Sequence, residues 1–378
     1  MNGIENWSAV YQSMKESKTA IFALQETHLD DNMLLSIDQC FGKRLSIINS
    51  KLPGNPRTLV GVTFIINRSL IAPRDLEVAA LIEWCVLAIK FKWHGNDDIL
   101  LINVYAPNNK STHPAFWERI DETRWLKGLQ QPDMLLGDFN VTEDQIDRAP
   151  AHLDDIAAIA ALRNLRQCLG LEDTWCHAFP HDRSCTYRAT LNGQAIKSRL
   201  DQIYMSKESA KVALDWKTTQ TAVLTNHWMV SVRYAPSQAP FIGTGRWTMQ
   251  IPELKKKELI NRIVDRGKTL QAKLCDLSRA QIPCDVKNTQ SLWVAFKADI
   301  VKLTKKHCSK TQGKLGNKIL DIEKDLKCLA GNPELDTNDI VRTEEAFLVN
   351  ELTILKRIQA RDRKDKCRTC SGNTPRYN

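Results

Sequence analysis

The chain has 378 residues, a formal net charge of +9 and 11 cysteines. That length exceeds the roughly 250 to 300 residues that one core usually spans, so more than one domain is expected. Irregularly spaced cysteines in odd number exclude a complete disulfide framework, the opening Met1-Asn2-Gly3-Ile4-Glu5 has no signal-peptide pattern, and no uncharged apolar run approaches the about 18 residues of a membrane helix, so the expectation is an intracellular chain with free thiols and no membrane partner. In chain order, the runs Ala20 to Leu24, Val60 to Ile66, Val86 to Trp93, Ile99 to Tyr105, Met134 to Leu136, Leu200 to Tyr204 and Met229 to Tyr234 read as strands. The third alternates, with Leu87, Ile89, Phe91 and Trp93 on one face and Lys90 and Lys92 on the other, the pattern of a sheet with a wet side. Asp154 to Leu169 reads as a helix, since Ile156, Ile159, Leu162, Leu165 and Leu169 recur at helical spacing before Gly170.

The pattern changes at Ala235. The stretch 235–245, "APSQAPFIGTG", has two prolines and two glycines and reads as a linker. Beyond it, residues 246–360 repeat apolar positions at three-and-four spacing (Leu292, Phe296, Ile300, Leu303; Ile319, Ile322, Leu326, Leu329; Leu348, Leu352, Leu355), which predicts a small helical bundle with Trp293 and Phe296 in its core. The composition of 361–378 predicts disorder. Charge divides the same way. Residues 1–245 hold 25 Lys+Arg against 27 Asp+Glu, or −2, and residues 246–378 hold 28 against 17, or +11. A cationic segment on a near-neutral domain suits a polyanion partner, although a solvated Lys-rich helical surface has the same composition.

Acids, amides and a histidine recur where strand-like runs end. "LQET" carries Glu26, "NVYAPN" carries Tyr105 and Asn108, "LLGDFN" carries Asp138 and Asn140, "SRLDQIY" carries Asp201, and "LTNHW" carries Asn226 and His227. In an extended segment residues i and i+2 share a side, so Asp138 and Asn140 are expected to face one space. One acid at a strand end is ordinarily a cap or turn residue. Five such stretches in one chain make that reading hard to keep.

In their order and spacing, "QET", "YAPN", "GDFN" and "SRLDQIY" resemble the endonuclease/exonuclease/phosphatase superfamily, and among its members the endonuclease domain of LINE-type, non-LTR retrotransposons. The resemblance spans residues 1–234. It implies an α/β (α+β) sandwich of two sheets with helices outside, and metal-assisted hydrolysis of a phosphodiester by water. "RWTM" and "LWVAFK" are similar to the segment that joins such endonucleases to a reverse transcriptase, and no Y-x-D-D follows, as in an element protein ending before its polymerase.

The resemblance further implies Glu26 as ligand for Mg²⁺ or Mn²⁺, with Asn226 beside it; Asp138 to orient and deprotonate the attacking water; Asn140 to hold the phosphate; His227 to donate to a non-bridging oxygen; Asp201 to fix its tautomer; and Tyr105 as a phenolic contact. Arg148, Thr186, Ser198 and Asn108 become substrate contacts. DNA is the implied partner, through this pocket and the basic C-terminal helices, with a nuclear location for a functional protein. Two departures stand out. Family members open on a strand L-N-x-N-G, where this chain reads Met1-Asn2-Gly3, predicting an open sheet edge. Their S-D-H reads Thr225-Asn226-His227, and the neutral amide predicts weaker metal binding. Weakened nicking, a catalytically dead nucleic-acid-binding remnant, or a phosphatase of the same fold are the resulting alternatives. Against the family pattern, "CHAFPHDRSC" (Cys176 to Cys185) fits D-x-W…P…T-Y better than a zinc site, and Cys367 with Cys370 makes only half of one.

Overall fold

β5 (Val86–Lys92) shows how the sequence builds the fold, because it is buried on both faces. Leu87, Ile89 and Phe91 enter one hydrophobic cluster, and Val86 and Ala88 enter another. The expected wet side is confined to the strand's far end, where Lys90 pairs with Glu77 and Asp98 at 3.4 and 3.3 Å. Two charges at one end do not make a solvated face when a small residue, Ala88, admits a packing helix behind it.

The computed structural model describes residues 4–50, 61–72, 74–93, 98–180, 182–191, 194–220, 223, 225–237, 256–279, 288–336 and 338–368. They separate into two units, Met1–Phe241 with Lys327–Val349, and Ile242–Leu326 with Asn350–Asn378. The predicted linker lies largely outside the described residues. A division by sequence alone did not anticipate that Lys327–Val349 groups with the first unit.

In the first unit, β1 (Ile21–Leu24), β2 (Leu45–Asn49) and β3 (Thr63–Asn67) form an antiparallel sheet in the order β1-β3-β2, with β1 at its edge. A six-stranded sheet follows the order β4-β5-β6-β7-β12-β9, comprising β4 (Arg74–Ile82), β5, β6 (Asp98–Tyr105), β7 (Met134–Asp138), β9 (Leu171–Glu172) and β12 (Asp201–Ser206). Only its β6–β7 pair is parallel, and α3 (His113–Leu126) supplies the crossover that a parallel pair requires. Three apolar clusters define four layers. One joins Trp7, Val10 and Met14 of α1 (Ile4–Ser17) and Ile37 of α2 (Asp31–Phe41) to the outer face of the small sheet. The second lies between the sheets, around Phe64, Leu87, Ile89, Phe91 and Leu101. The third packs α3 and α4 (Ile156–Cys168) on the far face of the large sheet. This is the two-sheet α/β sandwich with external helices.

The predicted helix over 154–169 forms as α4, capped by the Asp155 carboxylate accepting from the Ala158 N–H at 2.9 Å. Ile156 is exposed, because each step of three residues falls about 60° short of a full turn and Ile156 has rotated off the stripe centred on Leu162 and Leu165. A hairpin of β10 (Tyr187–Leu191) and β11 (Gln194–Ser198) pairs with β8 (Arg148–Ala149), and β13 (Ala213–Thr219) pairs with β14 (Met229–Tyr234). Two short helices, α5 (Thr174–Ala178) and α6 (Lys207–Ala210), are capped by Asp173 and Ser206.

The second unit is helical, drawn from α7 (Lys257–Arg279) and from parts of α8 (Thr289–Ala330) and α9 (Asp339–Arg368). Within it Ile319, Ile322, Leu326, Leu352 and Leu355 are buried, and Lys318–Glu351 and Lys356–Glu323 ion pairs (2.6 and 2.7 Å) flank that stripe. Trp293, expected in the core, is 47% exposed and stacks on Phe296 at 5.5 Å. The helix α9 runs to Arg368, so the first residues of the predicted disordered tail are helical; 369–378 lie outside the described residues. No described helix is long and apolar enough to cross a membrane.

Candidate active site

Strand register alone sets three functional side chains in one row. Tyr105 ends β6, Asp138 ends β7 and Asp201 begins β12, and the pairings Tyr105↔Asp138 and Asp201↔Asp138 put them side by side across the sheet. Gly137 makes this row possible. It sits at φ +142°, and a Cβ there would come within 1.9 Å of the Val104 carbonyl oxygen, so only glycine lets β7 close onto β6 one residue before the acid.

Asn140 reaches the row differently from the expectation. β7 stops at Asp138, and Asn140 adopts a left-handed φ of +50°, a conformation asparagine tolerates better than most residues. Its N–H donates to Asp138 Oδ1 at 3.0 Å, and its side-chain amide donates to the Ala106 carbonyl at 2.8 Å. The two share a turn, not one face of an extended strand.

His227 approaches from a loop whose backbone pairs with Tyr187, and its ring packs on the Tyr187 ring at 4.9 Å. Its Nδ1 lies 2.8 Å from Asp201 Oδ2. Polar atoms of Asp138, Asp201 and His227 all lie within 4.8 Å of one another. Glu26 enters from the other sheet, just past β1, at a left-handed φ of +52° that is uncommon for glutamate. The Tyr105 hydroxyl donates to Glu26 Oε1 at 2.5 Å, and the Asn108 side chain hydrogen-bonds the same phenol. Beneath them buried Asn103 ties the sheets together, accepting from Gln25 at 2.6 Å and donating to the Leu24 and Thr63 carbonyls.

Burial pushes the Asp138 carboxyl up to about 7, and the negative charges of Asp201 and Glu26 add to this against the pull of His227. Burial works against protonated His227, but its hydrogen bond to Asp201 and the surrounding carboxylates outweigh that and raise it to about 9. Burial and Glu26 also hold the Tyr105 phenol well above its ordinary range. The crevice therefore contains a carboxyl poised near neutrality beside an imidazolium. Three carboxylates, Glu26, Asp138 and Asp201, exceed what one imidazolium neutralises, so this hard-oxygen donor set fits a divalent cation.

Residues 5–225 match the sequence profile of the endonuclease/exonuclease/phosphatase family. The chain belongs to that family. A transposon TX1 uncharacterized 149 kDa protein of Xenopus laevis is 27% identical over 62% of this chain, which spans 18% of that relative's length. Among solved structures, the chain is similar to the endonuclease domain of TRAS1, a telomere-specific non-LTR retrotransposon (16% identity, 58% of this chain and 88% of that one, TM-score 0.43). It is also similar to a 3'-5' exonuclease from Neisseria meningitidis (19% identity, 61% and 95% covered, TM-score 0.48).

Within this endonuclease/exonuclease/phosphatase domain, the expected substrate contacts behave differently from one another. Thr186 is 1% exposed and its hydroxyl accepts the Leu200 and Asp201 N–H groups at 3.0 and 2.9 Å. Its carbonyl also accepts the Trp228 N–H at 2.6 Å, so it clamps the neighbourhoods of both Asp201 and His227. Ser198 is 2% exposed and accepts from Arg148 Nη1 at 2.8 Å. Both hydroxyls are buried and hydrogen-bonded within the chain. Arg148 is held by Asp154 at 2.6 Å and Thr142 at 3.1 Å, so its charge is already matched within the chain. Asn108 is exposed, as a contact residue must be. Asn226 is exposed too, and its carbonyl accepts the Arg188 N–H at 3.0 Å.

Cys176 offers its sulfur to Arg199 at 3.1 Å and belongs to no metal-binding group among the described residues; Asp138, Asp201 and His227 come close enough together for one, but there the His227 Nδ1 is taken up by Asp201. His181 and Cys370 of the weighed zinc readings lie outside the described residues. Sequence reasoning missed Thr186's clamping role and the Asn103 bridge. A buried Asn inside an apolar strand was the one available signal for the bridge.

Proposed function

We propose that the chain is a divalent-metal-dependent phosphodiesterase that nicks DNA. The observation carrying this reading is the row Tyr105, Asp138 and Asp201, flanked by His227 and facing Glu26, which combines a base near neutrality with a charged donor in one crevice. Glu26, with Asn226 beside it in sequence to His227, would hold the metal. When bound, Mg²⁺ or Mn²⁺ supplies Lewis-acid polarisation of a phosphoryl oxygen and offsets its charge.

The chain's own residues do the rest. Asp138, ionised at and above neutral pH, accepts the proton of the attacking water. The Asn140 N–H fixes which carboxylate oxygen is free, since it occupies Oδ1. His227, kept protonated by Asp201 at Nδ1, donates from Nε2 to a non-bridging phosphate oxygen as negative charge accumulates. Tyr105, held protonated, keeps Glu26 oriented and offers its phenol as a contact.

DNA as substrate is supported by the likeness to a transposon protein and by the +11 balance of residues 246–378, which supplies phosphate-directed charge. The test is incubation of the purified chain with supercoiled plasmid over a Mg²⁺ series beside Asp138→Ala. Metal-dependent nicking lost in the variant is expected. Binding without nicking, equal in both proteins, would instead identify a noncatalytic nucleic-acid-binding remnant, a reading favoured by one observation, the neutral and exposed amide of Asn226.

A further inference from the structure

Arg188 and Lys197 stand directly opposite each other on paired strands of the β10–β11 hairpin. Like charges in that position repel, and an anion between them removes the penalty. Here the anion is Glu345 of α9, in the segment that groups with the first unit. Arg188 Nη1 donates to Glu345 Oε1 at 2.5 Å and Lys197 Nζ donates to the other carboxylate oxygen. Glu345 is 4% exposed. Burial pushes its carboxyl up, yet the two cations outweigh that and hold it below the usual range.

The pair is also wired to the active site. Arg188 stacks on Trp228 at 4.5 Å and gives its N–H to the Asn226 carbonyl, gripping the residues on either side of His227. Its neighbour Tyr187 carries the His227 ring. A guanidinium and an ammonium converging on two oxygens of one anion, next to a site for phosphodiester cleavage, match a phosphate as well as a carboxylate.

We propose that Arg188 and Lys197 form a socket for a backbone phosphate of bound DNA, and that Glu345 fills it as an internal surrogate, so that the first half of α9 competes with DNA for the hairpin. This rests on DNA being the ligand, but not on cleavage. Disengaging Glu345 exposes two cations beside the crevice, and the helix thereby restrains binding until DNA displaces it.

The test is fluorescence anisotropy of a short labelled DNA duplex with the full chain in chelator, over a salt series. The variants are Glu345→Gln, Glu345→Asp, Arg188→Gln with Lys197→Gln, and the triple combination. Glu345→Gln is expected to tighten binding about tenfold and to steepen the log Kd against log salt slope by about 1, the increment for one more neutralised phosphate. Glu345→Asp falls between it and the parent, and remains readable if Glu345→Gln does not fold. The double variant alone binds no tighter than the parent, and in the triple variant the gain disappears. Unchanged or weaker binding by Glu345→Gln, with a lowered melting temperature, makes the triad structural only and overturns the proposal. A gain that survives in the triple variant overturns it as well, being a general charge effect. Plasmid nicking is scored separately, so a chain that binds through the socket without cleaving removes the enzyme reading alone, and one that nicks with no response to Glu345→Gln removes the socket alone.

Discussion

The two sides of the crevice are built to different standards. On the side of Asp138, Asn140, Asp201 and His227, the acids begin or end sheet strands, the groups hydrogen-bond one another, and buried Thr186 clamps the frame from behind. Glu26, Asn108 and Asn226, by contrast, are exposed, and Glu26 is steadied by one phenol. The comparison teaches that the half proposed to handle phosphate is preorganised by the fold, whereas the half proposed to hold the metal relies on a few exposed groups. Substitutions on the first side should cost both chemistry and structure. Those on the second should change metal dependence and leave the fold alone.

The largest effect should come from Asp138→Ala. Loss of the base is expected to lower the nicking rate by about 10³-fold at saturating Mg²⁺, within the span that general-base removal commonly produces. If the rate falls only a few-fold, Asp138 is a strut and not the base, and the contrast between the two sides fails. His227→Gln follows, at about 10²-fold, the value of one donor to developing negative charge. These two residues also set the pH profile. Asp138 must lose its proton, so the rate rises through about 7, and His227 must keep its own, so the rate falls through about 9. His227→Gln should flatten the alkaline limb and move the acid one upward, because Asp138 loses the pull of the imidazolium. Stability follows the same sign for His227. Its contribution is complete below the ordinary value of 6.5 and is lost as pH climbs through about 9, which pH-dependent melting of the parent against His227→Gln measures.

Thr186→Val comes next and tests whether the first side is a frame. It removes an acceptor from two buried N–H groups, at about 1 to 3 kcal/mol of stability. The rate should fall by about tenfold through misplacement of Asp201, short of the loss seen without the base. Thr186→Ser keeps the hydroxyl and should restore both readings. Full activity in Thr186→Val would show that Asp201 holds its place unaided.

Much of this was legible in the sequence, and the reasons are physical. Residues that must meet at strand ends are announced by the strands themselves, so Asp138, Asp201 and Tyr105 could be picked out without coordinates. The apolar runs that carry them are long enough to name β6, β7 and β12 outright. β10 and β11 were not, since each is only five residues long and Gln194, Lys197 and Ser198 leave β11 without an apolar alternation, so that pairing across the hairpin holds them. β4 was lost for another reason, as its register shifts between Arg74 and Glu77 and between Ala80 and Ile82, and a bulge erases the alternation that marks a strand. The turn at Asn140 was misread because sequence does not say where a strand stops. Nothing local could tell that Glu345, about 150 positions away, closes on Arg188 and Lys197. Thr186 and Ser198 were named as parts of the site from family likeness, and their burial was not legible in the sequence.

The smallest expected effect belongs to the exposed side. Asn226→Asp adds one formal charge next to His227 at a solvent-facing position whose backbone carbonyl, not its side chain, serves the fold. Stability should therefore stay within about 0.5 kcal/mol of the parent. One more carboxylate attracts a divalent cation by about 1 to 2 kcal/mol at the distances of a partly solvated site, so half-maximal nicking should need about 5- to 30-fold less Mg²⁺, with the maximal rate unchanged. A Mg²⁺ titration of the two proteins decides it. An unchanged half-saturating concentration would put position 226 outside the metal's reach and leave Glu26 as the chief anchor. A raised maximal rate would instead mean that the sparse side limits the chemistry itself, and that the contrast between a preorganised half and a solvent-dependent half is one of catalysis as well as of metal affinity.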